Sequence, residues 1–276
     1  MTKTNEYFDL SRAPLRIGTV RLRVRNLDTV SDFYQRVLGL VPLVKDSSGV
    51  TLGTEATPLL KLDGDPALRP TDRRQAGLFH TAFLMPSRAD LGRWLAHVAE
   101  IGVPLQGASD HIVSEAIYLA DPEGNGIEVY ADRPVSRWHD PKGEIYMATQ
   151  PLDVQDLLKA AEGTVWAGFP QDGIIGHVHL QVGDTVEAER FYRDVLGFEV
   201  ASRYPGASFF GSGGYHHQLA GNVWNSRGAG HRDPSAAGLA EISLRIAPSE
   251  RDVILQRTGG AEHVTDPWGT AITFID

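Results

Sequence analysis

Two polar residues interrupt segments that otherwise read as buried strands. His80 sits within Leu78-Phe79-His80-Thr81-Ala82-Phe83, and Glu128 sits within Gly126-Ile127-Glu128-Val129-Tyr130. Both runs are rich in β-forming residues. A carboxylate between Ile127 and Val129 carries a large desolvation cost unless it is paired, protonated or bound to a cation. One His and one Glu make two thirds of a metal site, and Asp110-His111 and Tyr118 fall between them.

Composition narrows the chemistry. The chain has no cysteine, so disulfide frameworks, iron-sulfur clusters and thiol nucleophiles are excluded and any metal must take N and O ligands. A formal charge of -9 gives no electrostatic footprint for nucleic acid or an anionic membrane, which leaves small-molecule chemistry. Residues 1–14 lack an apolar signal core, and no run approaches the roughly 18 apolar residues of a membrane helix. A cytoplasmic protein is expected, with homo-oligomerisation left open.

The elements that position these residues repeat along the chain. Ile17 to Val24 alternates with period two, placing Val20, Leu22 and Val24 on one face and Thr19, Arg21 and Arg23 on the other. Asp28 then precedes Val30, Phe33, Tyr34, Val37 and Leu38 at helical spacing, Gly39 stops the helix, and short strands follow to Leu62. The same order recurs from Ile174, where Phe191 to Phe198 nearly copies Phe33 to Leu40. Two weaker copies run from Leu78 to Tyr130 and from Leu239 to Ile275, and Asp266-Pro267-Trp268-Gly269 echoes Asp121-Pro122-Glu123-Gly124. Four repeated βαβββ modules, an α+β fold with two curved-sheet clefts, are the expected architecture. The expected segments are an N-terminal pair of modules (14–131), a connector with one helix (132–173) and a C-terminal pair (174–276).

This unit, with its Phe-Tyr-x-x-x-Leu-Gly helix end and Asp-Pro-x-Gly strand end, resembles the vicinal oxygen chelate superfamily, the glyoxalase, bleomycin-resistance and dioxygenase fold. Gly214-Tyr215-His216-His217, Gly221 to Ser226 and Ser114 to Leu119 further resemble two-domain bacterial catechol 2,3-dioxygenases. The resemblance implies metal ligands on the first and last strands of paired modules. Aligning the four first strands by register superposes Thr19, His80, His177 and Glu241. Pairing consecutive modules leaves each half short of two His and one carboxylate. Pairing the second module with the third unites His80, Glu128 and His177, a set suited to Fe(II), with Mn(II) or another divalent metal as the alternative.

By the same resemblance, His217 acts on the proton of the oxygen species, and His111 and Tyr118 hold the substrate oxygens. The reaction implied is extradiol cleavage of a catechol-type aromatic diol by O2, giving a muconic semialdehyde. The rivals are a glyoxalase-like isomerase or lyase and a non-catalytic binding protein. The first needs a carboxylate late in the third module, where Phe209 to Arg232 contains no Asp or Glu. The second would leave Glu128 buried and uncompensated.

Blander readings stand beside these. A lone strand His is more often a hydrogen-bonded core residue than a ligand, but Glu128 and the repeat register reverse those odds for His80 and His177. Glu128 has Arg133 as an alternative partner. His179, on the same face as His177, would be the ligand if the register slips and otherwise reads as a neighbour of the ligands, and strand alternation turns His216 away from His217. Phe209 and Trp224 read as pocket wall or core. In the first-and-fourth cleft, Arg21, Arg23 and Arg245 are expected to form an internal ion-pair network with Glu241.

Overall fold

The computed structural model describes residues 6–161 and 163–276. The first module comprises β1 (Leu15–Val24), α1 (Leu27–Phe33), β2 (Val41–Lys45), β3 (Gly49–Gly53) and β4 (Pro58–Gly64). The second comprises β5 (Gly77–Leu84), α2 (Arg88–Glu100), β6 (Gly107–Asp110), β7 (Ser114–Ala120) and β8 (Gly126–Asp132). The connector carries β9 (Gln150–Pro151) and α3 (Val154–Lys159). The third module is β10 (Ile174–Gln181), α4 (Thr185–Glu189), β11 (Glu199–Tyr204), β12 (Ala207–Gly211) and β13 (Leu219–Asn222). The fourth is β14 (Gly238–Ile246), α5 (Pro248–Arg257), β15 (His263–Thr265) and β16 (Ala271–Ile275), one strand fewer than its siblings. No helix among the described residues is long and apolar enough to cross a membrane.

The sheets cut across the chain halves. One runs β15-β16-β14-β1-β4-β3-β2 and the other β11-β12-β13-β10-β5-β8-β7-β6-β9. Segments 14–131 and 174–276 therefore each give one module to each sheet, and neither half closes a sheet of its own. The second module joins the third through the antiparallel β5–β10 seam, and the first joins the fourth through β1–β14.

The two repeated motifs bind each other. α1 and α4 each continue into a wider π-helical turn, at Tyr34–Leu38 and Arg190–Val195. In the later copy Tyr192 donates to Asp266 Oδ2 at 2.8 Å, and the other oxygen of Asp266 accepts from the backbone N–H groups of Trp268 and Thr270. In the earlier copy Tyr34 faces Asp121: burial, then the Asp121 charge, hold its phenol well above the ordinary value. Sheets thus join modules one to four and two to three, while these tyrosine–aspartate contacts join one to two and three to four. The four modules form a closed ring around one continuous apolar core. Gly39 ends the first helix with φ 72°, where an added Cβ would lie 2.7 Å from the Gly168 backbone. Only glycine suits both the left-handed conformation and that close approach.

The expected internal arginine network is instead a solvent-facing one. Arg21 donates to Asp63 at 2.5 Å and lies 3.9 Å from Glu241, Arg23 lies 3.8 Å from Asp65, and the two arginine side chains are 45% and 35% exposed. Arg245 turns to the Asp276 carbonyl. Exposed pairs of this kind contribute little to stability.

Candidate metal centre

β5, β8 and β10 lie side by side in the second sheet, so strand geometry alone brings His80, Glu128 and His177 together. One donor atom from each lies within 4.8 Å of the others, and all three side chains are buried. His80 Nε2 is 2.9 Å and His177 Nε2 3.3 Å from Glu128 Oε2. Donor atoms each about 2.1 Å from one ion, at right angles, would stand about 3.0 Å apart. His80 Nε2 makes no hydrogen bond despite its short distance to Glu128, so it lies beside the carboxylate without pointing a proton at it. A buried nitrogen without a hydrogen-bond partner, next to a buried carboxylate, fits a divalent cation and is costly without one.

The electrostatics favour ligand forms. Burial pushes the Glu128 carboxyl up, but His177 and His80 pull it down further, and the net position is well below the ordinary range. Burial holds His177 low against the opposing pull of Glu128, which favours a neutral imidazole with a free lone pair. Arg133 is not the partner of Glu128; it pairs with Asp110 at 2.5 Å and Glu115 at 3.2 Å.

His179 stays outside the donor set. Its Nε2 accepts from the Asn222 amide at 3.0 Å, and its ring meets those of Phe79, His80 and Trp224. Backbone irregularities flank this stretch, between Ile175 and His177 and between His179 and Leu180. Bulges of this type re-aim side chains next to sites.

The other three candidates line the same cavity as the triad. It has a volume of about 310 Å³, and its wall includes His80, His111, Tyr118, Glu128, His177 and His217, with Phe79, Phe209, Trp224 and Met147 as apolar surface. A second cavity of about 200 Å³ meets it across Phe79, His80 and Tyr118 and includes neither Glu128 nor His177. Tyr118 stands opposite Glu128 across β7–β8, hence on the same face. His111 Nδ1 lies 2.9 Å from the Ala148 carbonyl, so that nitrogen carries the proton. His111 Nε2 then accepts from the Tyr118 hydroxyl at 2.7 Å. Burial, then the Glu128 charge, hold the Tyr118 phenol well above its ordinary value, so it stays protonated. The turn carrying His111 places Ile112 at φ 72°, a strained position for a β-branched residue.

His217 lies in the loop between β12 and β13, not on a strand, so alternation does not govern its neighbour. His216 turns toward it: their Nδ1 atoms are 2.8 Å apart, and His216 Nε2 is 2.9 Å from Asp132 Oδ1. The expected orientation of His216 is thereby overturned, because a turn lets successive side chains meet. Sequence reasoning also missed Met147, Ala148 and Thr149, connector residues that close the cavity. No periodic signal marks them.

The family model described as the Glyoxalase/Bleomycin resistance protein/Dioxygenase superfamily matches residues 16–129 and 174–244. The chain belongs to that superfamily. It is 39% identical to a catechol-2,3-dioxygenase of Bacillus subtilis (strain 168), with 94% of this chain and 96% of that one covered. A biphenyl-2,3-diol 1,2-dioxygenase 3 of Rhodococcus globerulus is 28% identical over 120 residues, covering 42% of this chain and 63% of the relative. Among solved structures, a putative dioxygenase of Bacillus subtilis subsp. subtilis str. 168 superposes with a TM-score of 0.61 at 14% identity, covering 94% of this chain and 84% of that one. Glyoxalase I of Zea mays superposes with a TM-score of 0.56 at 14% identity, covering 97% and 94%.

Proposed function

We propose that this protein is an extradiol dioxygenase that opens catechol-type aromatic diols with O2, and that His80, Glu128 and His177 hold its metal, Fe(II) in the first instance and Mn(II) as the alternative. The observation that carries the reading is the meeting of this donor set with His111, Tyr118 and His217 in one cavity. The similarity to a catechol-2,3-dioxygenase across nearly the whole chain supports it.

When bound, a metal with two His and one carboxylate offers open coordination positions to a diol and to O2, and a redox route between them. The protein's own groups do the rest. Phe79, Phe209 and Trp224 give an apolar wall against which an aromatic ring packs. Tyr118, whose proton is committed to His111, accepts a hydrogen bond from a diol hydroxyl and fixes its orientation. His217, on the third-module side of the triad with its ring 4.2 Å from that of His177, is placed to take and return a proton. Burial, then the neighbouring His177 and His216, hold His217 well below its ordinary value, so it offers a neutral imidazole near neutrality. The product is a muconic semialdehyde.

The test is direct. Anaerobically purified protein is analysed for metal, then assayed with catechol on an oxygen electrode while the yellow ring-opened product is followed optically. Uptake of one O2 per product, dependent on the metal, is the expected result. Protein carrying full metal that consumes no O2 with any of a panel of catechols would sink the reading.

A further inference from the structure

Behind His217, away from the cavity, lies a chain of buried polar groups that the reaction as proposed does not use. His216 is 0% exposed, with the Trp138 ring 4.9 Å and the Tyr215 ring 4.0 Å from its own. Asp132 Oδ1 lies 2.9 Å from His216 Nε2 and accepts from the Tyr215 hydroxyl at 3.2 Å, and the Tyr130 hydroxyl stands 2.8 Å from that of Tyr215. Every link is direct.

The polarity of this chain follows from counting protons. A carboxylate only accepts, so His216 carries a proton on Nε2. The His216 ring, when neutral, has a bare Nδ1. Two ring nitrogens 2.8 Å apart need one proton between them, so beside a neutral His216 it is His217 that supplies it, from its own Nδ1. A neutral His217 protonated on Nδ1 has a bare Nε2, the ring nitrogen left for the cavity. We propose that Asp132 and His216 are positioning residues that lock His217 in the Nδ1–H tautomer, so that a lone pair, not an N–H, meets the substrate. In a free neutral imidazole both tautomers are open, and the wrong one would present a donor where an acceptor is required.

The structure shows how firmly the lock is set. Gly176 on β10 has no Cβ, and an added one would lie 1.8 Å from the Tyr130 hydroxyl. The glycine makes room for the Tyr130–Tyr215–Asp132 contacts, so the carboxylate is held from two sides, by Tyr215 and by His216. No exposed group interrupts the chain from Asp132 to His217, and the walls of Trp138 and Tyr130 keep water from offering His216 another partner.

Only the catalytic meaning of the tautomer rests on the function proposed above, and the experiment separates the two. Full-length protein with 15N-labelled histidine rings is loaded with Zn(II) as a diamagnetic stand-in, and the His217 signal is assigned by its loss in His217→Phe. Wild type should show His217 protonated at Nδ1. His216→Phe removes the acceptor, and the Nε2–H form should then appear. In Asp132→Asn the amide can offer its own N–H to His216 and reverse the chain, so kcat should fall roughly 10²-fold, the scale of one proton-transfer contribution, with KM and metal content little changed. Asp132→Glu should recover part of that loss. A wild-type His217 protonated at Nε2 overturns the lock whether or not any diol is turned over. With the tautomer as expected, an Asp132→Asn enzyme of unchanged kcat overturns its role in the reaction.

Discussion

His80 and His179 are opposed directly across the β5–β10 seam, their rings edge to face at 4.9 Å, yet His177 is the residue that reaches Glu128 with His80. Asn222 occupies the Nε2 of His179, whereas nothing bonds the Nε2 of His80. Adjacent imidazoles on one strand face should therefore differ in consequence. Glu128→Gln and His177→Ala should lose stoichiometric metal after anaerobic desalting while keeping a native circular dichroism spectrum. His179→Ala should retain it, and elemental analysis distinguishes the three.

His217→Phe should keep one metal per chain while ring cleavage falls by roughly 10² or more. Single-turnover measurements under excess O2 separate this from a binding defect. Loss of the metal together with the activity would show that His217 is a ligand.

Acid should destabilise the metal-free protein from near pH 6.5 downward. Burial, then neighbouring imidazoles, hold His179 and His217 well below their ordinary values. As the pH falls below about 6.5 the unfolded chain takes up protons that the folded one refuses, at about 1.4 kcal/mol per pH unit for each such group. Stability is therefore full above that pH and falls below it. Glu128, whose carboxyl is held low, acts in a separate and more acidic window: its contribution is present above about pH 4.3 and is lost as the pH falls through its folded value. Urea midpoints of the apo-protein should be lower at pH 5.5 than at pH 7.5, and equal midpoints would contradict the burial argument.

Fe(II) titration of the apo-protein under anaerobic conditions should saturate at one tight metal per chain. In the first sheet Thr19 is engaged with Ser243, through its N–H at 2.6 Å and its hydroxyl at 3.0 Å, and Glu241 stands 3.9 Å from the cationic Arg21. Two equivalent sites in the titration would mean that Glu241 has been misread.

Gly176→Ala should cost about 1–3 kcal/mol, the usual range for forcing a group into a filled space. Because the nearest clash is with the Tyr130 hydroxyl, with the ring carbon that bears it at 2.8 Å, Tyr130→Phe should recover part of the loss when combined with it, although it removes a buried hydrogen bond alone. A double-mutant cycle from thermal unfolding measures the coupling, and strict additivity would place the strain elsewhere.

Much of this centre was legible because its residues violate a strong local pattern. His80 and Glu128 are polar in apolar strands, and the repeat register carried the same logic to His177. The cross-pairing of modules followed from ligand chemistry, since on the register-aligned strands it unites His80, Glu128 and His177, where consecutive pairing separates His177 from the other two. What stayed hidden lacks periodicity. His216 sits in a turn whose side chains do not alternate, and Asp132 ends a strand where an acid is unremarkable. The partners Asp63 and Asp65 of the first sheet's arginines come from β4 and its end, elements that sequence spacing does not bring beside β1.

The closed ring of modules also constrains how the chain is made. Thr19 and Ser243 touch although 224 positions separate them, and β1 pairs on that side with β14 alone. During synthesis, β1 presents a bare row of backbone donors and acceptors until nearly the last module has emerged, the kind of edge that templates aggregation. The β5–β8 pairing needs only one module, and β10 arrives next. The topology thus favours assembly from the middle outward, with the sheet that carries His80, Glu128 and His177 in place before the terminal modules meet, and with the slow step of folding assigned to that last, most distant seam.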